Sequence, residues 1–213
     1  GVSEMQRLQM ATQTGKNVEV FAVEGNFDNA QAQVKSIFTD STVAKRLKEN
    51  NIILSSANSI NWGRLVPQIV YYFSAYADLQ KNNRIKPMQK INVVVPTGNF
   101  GNILAAYYAM RMGLPIDKLI CASNRNNILS DFFDSGVYDA NRAFHTTLSP
   151  SMDILISSNL ERLLFEINNR DANEIAGMMK ELASQKRYAV TKTMHRSLKE
   201  SFWAGWVTDD ECK

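Results

Sequence analysis

Pro96-Thr97-Gly98-Asn99-Phe100-Gly101-Asn102 sets two glycines three residues apart between an apolar β-branched run and an amphipathic stretch. Glycine allows backbone conformations and close approaches that a Cβ would block. The helix expected after it adds unpaired N–H groups and the positive end of a dipole, so this loop suits a phosphate. It is neither a Walker loop, since no Gly-Lys-Ser/Thr follows, nor the Gly-x-Gly-x-x-Gly dinucleotide turn. The alternative is a glycine-containing turn with no ligand. A second loop, residues 55–64, offers Asn58, Ser59 and Asn61 as short donors and Arg64 as a planar guanidinium in the next helical turn. Such groups converging on a helix start make an anion site. Read alone, the same residues are a helix cap with Arg64 in solvent.

These loops need elements to hold them. Val18–Val23, Ile52–Leu54, Ile91–Val95 and Lys118–Ala122 read as strands. Helices are expected at 3–14 with Ser3 as cap, after Asp28 with Gln31, from Trp62 through Ala77, at 102–112, 160–167 and 173–184, and from Met194 to Trp206. Pro67 is tolerable in the first turn of its helix. Strands alternating with helices predict an α/β fold: a mostly parallel, three-layer sheet flanked by helices, with a helical C-terminal part. Residues 1–213 read as one α/β domain, 1–125 forming the sheet and both loops and 126–213 mainly helical. In open sheets of this kind ligands gather at the carboxyl ends of the strands.

Composition narrows the function. Twenty-four Lys and Arg stand against 21 Asp and Glu, a formal charge of +3 with no basic cluster, which argues against a nucleic-acid partner. No apolar run approaches the roughly 20 residues needed to span a membrane. Two cysteines, Cys121 in an apolar run and Cys212 near the end, suit a reducing cytoplasm rather than a disulfide framework. His145 and His195 have no ligand-spaced neighbours, so no metal site is expected.

Two phosphate-suited loops on one sheet edge suggest a phosphorylated cofactor meeting a phosphorylated substrate. "SSANSINWGRLVPQIVYYFSAY" (55–76), "VVVPTGNFGNILAAYYAMRMGLPI" (93–116) and "SPSMDILISSNLERLLF" (149–165), with "GVSEMQRLQM" and "VEGNFDNAQ", resemble threonine synthase, of the fold-type II pyridoxal-phosphate (PLP) enzymes. The resemblance implies that Gly98, Asn99, Phe100, Gly101 and Asn102 surround the PLP phosphate. It implies that Ser59 and Arg64 hold the substrate phosphate with Asn58 close by, and that the reaction turns O-phosphohomoserine and water into threonine and phosphate. It also implies a Schiff-base lysine after a phenylalanine, and no Phe-Lys pair occurs here. The chain therefore reads as an internal piece of such an enzyme, inactive alone. Another fold-type II lyase or dehydratase, and a non-catalytic phosphate-binding domain, are the alternatives.

Overall fold

The computed structural model describes residues 4–25, 27–56 and 61–212. The chain gathers into two compact units, Gly1–Ser55 and Ser56–Lys213. In the first, three helices follow one another: α1 (Glu4–Ala11), α2 (Phe27–Thr39) and α3 (Ser41–Glu49). Helix α3 was not evident from sequence; Asp40 caps it, its carboxylate accepting from the N–H groups of Thr42 and Val43 at 2.7 and 3.1 Å. Helix α2 opens at Phe27, so Asp28 stands inside it rather than before it. The cap at Ser3 lies outside the described residues.

The strands expected at Val18–Val23 and Ile52–Leu54 are not formed. Among the described residues this unit has no strand at all, and Phe21 and Ile53 are 79% and 93% exposed. A β-branched run carries a propensity, but a strand exists only where a neighbour takes its hydrogen bonds. Nothing local supplies that neighbour.

The second unit carries the sheet. Helix α4 (Trp62–Lys81) leads to β1 (Ile91–Pro96), then α5 (Gly101–Arg111), β2 (Ile116–Ser123) and α6 (Ile128–Ser135). After a short β3 (Val137–Asp139) come α7 (Leu160–Ile167), α8 (Ala172–Gln185), β4 (Arg187–Ala189), α9 (Lys192–Ser201) and β5 (Phe202–Trp206). Strands β1, β2 and β5 form a parallel sheet in that order, and β3 pairs antiparallel with β4. The fold is thus α/β with a parallel sheet flanked by helices, as the alternation of elements predicts.

The third strand is a correction. The sequence reading expects one helix over residues 194–206. The helix stops at Ser201, and Phe202-Trp203-Ala204-Gly205-Trp206 continues as β5, paired with Leu119–Ser123. Packing decides the switch. The Phe202 ring stacks on Phe133 and Tyr107 and tilts against Phe100, at 5.2, 5.8 and 5.8 Å between centroids. Through these contacts α5 and α6 cover one sheet face, which also buries Val95, Leu119 and Cys121. On the other face Val94, Ile120 and Trp203 align across all three strands, and Val94 and Trp203 stay about 60% exposed.

Candidate functional site

At the turn from β1 into α5, no side chain among the described residues makes a cap hydrogen bond to the helix start. Thr97 is tied down first: its N–H donates to Ala122 O at 2.8 Å and its hydroxyl to Val95 O at 2.6 Å. Phe100 then takes the left-handed conformation, φ 62°, and serves as the N-cap residue of α5 without offering a side-chain acceptor. A bulky residue holds that conformation only where its surroundings enforce it. Here burial does so: the Phe100 ring is 1% exposed and stacks on Phe133 at 6.0 Å. Phe100 can therefore meet a ligand only through its backbone.

Gly98 is required sterically. A Cβ there would stand 2.5 Å from the backbone oxygen of Ser151, a contact that backbone atoms cannot relieve cheaply. The carbonyls of the loop are engaged on the same side. Ser157 Oγ donates to Gly98 O at 2.9 Å, and Asn159 donates to Asn99 O from its backbone N at 3.1 Å and its Nδ2 at 2.9 Å. Ser158 Oγ reaches Asn99 Oδ1 at 3.3 Å. Among the described residues, no acceptor takes a hydrogen bond from the N–H groups of Gly98, Asn99, Phe100, Gly101 or Asn102. The dipole of an 11-residue helix stands behind them, the arrangement in which helix starts favour negative charge.

Asn102 is held from α4. The Tyr72 hydroxyl donates to its backbone oxygen at 3.0 Å and touches its Oδ1. Burial pushes the Tyr72 phenol up to about 12, so it remains a donor at any ordinary pH. Burial likewise pushes the Cys121 thiol up to about 12, which makes it an inert core residue beneath the loop.

The second loop is different. Asn58 and Ser59 lie outside the described residues. Asn61 caps α4, its Oδ1 accepting from Gly63 N at 2.9 Å while its Nδ2 donates to Ser56 O at 2.5 Å. Arg64 is exposed in the first turn and, among the described residues, has no ion-pair partner. No described contact joins it to the 98–102 loop. Helix α4 reaches that loop through Tyr72, eight residues or about 12 Å further along its axis.

Sequence reading does not single out Tyr72, Ser157 or Asn159 as partners of this loop, although all three stand inside quoted motifs. A Ser-Ser-Asn run before an amphipathic stretch reads as a helix cap, and no local pattern reveals a partner some 60 residues upstream. Lys118, inside β2, lies away from the glycine turn. Level with Asn92 near the start of the sheet, its Nζ donates to the carbonyls of Lys199 and Glu200 at 3.2 and 2.5 Å. It is thus at the opposite edge from Gly98.

No family model matches the chain. Individual relatives do. Threonine synthase-like 1 of Homo sapiens is 46% identical over all of this chain and 29% of its own length. Threonine synthase of Saccharomyces cerevisiae is 41% identical over 99% of this chain and 41% of its own. The structure of PLP-bound threonine synthase from Brucella melitensis superposes with a TM-score of 0.83 at 44% identity, over 99% of this chain and 43% of that one. The chain thus spans between about three and four tenths of the length of these relatives. Identities of 41–46% along essentially the whole chain, with a backbone match at a TM-score of 0.83, mean that these 213 residues belong to the threonine synthase family.

Proposed function

We propose that this chain forms part of a PLP-dependent lyase that converts O-phosphohomoserine and water to threonine and phosphate, with the Gly98–Asn102 loop receiving the cofactor phosphate. The observation carrying this is the set of loop N–H groups, backed by a helix dipole and left without a described acceptor, in a chain similar to PLP-bound threonine synthase. The fit is to a phosphate in particular. The donors are backbone groups at a helix start, Gly98 admits no side chain, and the Phe100 ring is turned into the core. When bound, PLP supplies the electron sink that stabilises carbanions during such a reaction.

In this assignment Gly98, Asn99, Phe100, Gly101 and Asn102 donate backbone hydrogen bonds to the cofactor phosphate. Tyr72 holds Asn102 in place. Ser59 and Arg64 bind the phosphate of the substrate, Arg64 through two parallel donors, and Asn58 stands beside it. The 213 residues contain no Phe-Lys pair, and we assign the covalent lysine to another part of the enzyme. A small phosphorylated amino acid is then the partner, in a cytoplasmic setting that suits two unpaired cysteines.

The test is to mix the purified 213-residue chain with PLP, reduce with borohydride and map labelled lysines by mass spectrometry, with a phosphate-release assay alongside. Diffuse labelling of surface lysines and no phosphate release are expected. Stoichiometric labelling of one lysine together with turnover would show that the chain is catalytically complete and overturn the assignment.

A further inference from the structure

We propose that Asn159, seconded by Ser157, is a positioning residue that aims the N–H groups of Asn99 and Phe100 at the cofactor phosphate; this rests on the 98–102 loop being the PLP phosphate cradle. A peptide unit is planar and trans, so its C=O and its N–H point to opposite sides. The oxygen of Gly98 shares a peptide with the N–H of Asn99, and the oxygen of Asn99 shares one with the N–H of Phe100. Ser157 Oγ holds the first oxygen at 2.9 Å, and Asn159 holds the second twice, at 3.1 and 2.9 Å. Both oxygens face residues 157–159, so both N–H groups face away from them.

Asn159 is itself fixed. It is completely buried, and its Oδ1 accepts from Arg162 Nη1 at 2.6 Å, which leaves Nδ2 as the atom turned to Asn99. The turn that presents it is anchored by Tyr138, whose hydroxyl accepts from Ser157 N at 2.9 Å and donates to Leu155 O at 3.1 Å. Further upstream the buried Asp153 carboxylate gathers Asn124, Asn126 and Thr147 at 2.7, 3.0 and 2.7 Å, which ties the 147–153 segment to the end of β2. This matters because the loop contains a glycine and a left-handed residue, where a peptide flip meets little steric resistance. A flipped peptide would present a carbonyl oxygen to the phosphate in place of a donor.

The experiment uses the whole enzyme and compares its affinity for PLP with that for pyridoxal, which lacks the phosphate. Asn159→Asp keeps the volume and the Arg162 contact but puts a carboxylate oxygen against Asn99 O. We expect PLP affinity to fall about tenfold, pyridoxal affinity to hold, and the 31P resonance of bound PLP to shift. A purely structural role would weaken both ligands alike, and that result, or no loss of PLP, overturns the inference. Gly98→Ala separates the two layers. If it lowers the PLP-to-pyridoxal preference while Asn159→Asp does not, only the positioning role fails. If neither variant changes the preference, the cradle assignment itself fails. Should Asn159→Asp not fold, Ser157→Ala, which removes one anchor, decides: a loss of about threefold in the same preference supports the inference, and an unchanged preference overturns it.

Discussion

Helices α4 and α5 both begin in a polar loop, yet the two starts are finished in opposite ways. At α4 the Asn61 side chain takes the N–H of Gly63, so the chain satisfies its own helix end. At α5 the cap position is a phenylalanine whose ring is buried, and among the described residues no side chain accepts from the first turn. Isolated, the second arrangement is the poorer one, because N-cap residues with an acceptor stabilise a helix by about 1 kcal/mol. The difference teaches where a ligand belongs. A helix start with its own acceptor is complete; in the proposed assignment, the one held by core packing and by outside hydrogen bonds on its carbonyls is the one that receives the anion.

The strongest way to break this contrast is Gly98→Ala. The added Cβ meets the Ser151 oxygen at 2.5 Å, so the loop must move, at a cost of about 1–3 kcal/mol in stability. Thermal unfolding should show that loss, and PLP titration of the whole enzyme should show weakened binding. An unchanged PLP affinity would place the cofactor phosphate elsewhere.

Arg64→Ala tests whether the capped end has any ligand role. In the whole enzyme it should weaken use of the phosphorylated substrate by roughly 1.5–3 kcal/mol, read as kcat/KM, with the PLP absorbance intact. Loss of PLP at unchanged substrate affinity would mean that the roles of the two loops are exchanged.

Asn61→Ala should produce the smallest effect. It removes the cap of α4 and should lower stability by about 1 kcal/mol in denaturant unfolding, with little change in PLP affinity. A large loss of PLP would show that the two helix starts are not separate in function.

Much of the second unit was legible in advance. The β-branched run at 91–95 and the periodic stretches at 160–167 and 173–184 carry their signals within single segments, and they form β1, α7 and α8 within a residue or two of the expected bounds. The first unit was read less well. Val18–Val23 and Ile52–Leu54 have strand composition without a strand to pair with, and α3, whose cap is Asp40, was overlooked. Residues 202–206 failed for the converse reason, since their helical spacing is outweighed by a vacancy beside β2 and by the aromatic cluster around Phe202.

By itself the sequence determined the family motifs and the order of β1, the glycine turn and α5. These depend on residues adjacent in the chain: glycines, a β-branched run and a helix start. The sequence did not determine which way the turn's peptides face. That depends on Ser157 and Asn159 meeting carbonyls about 60 residues upstream, on Tyr72 reaching Asn102 from α4, and on Phe100 being driven into a core completed by β5. A peptide plane can face either way at little local cost, so only hydrogen bonds from distant segments, brought close by folding, select the orientation that offers donors.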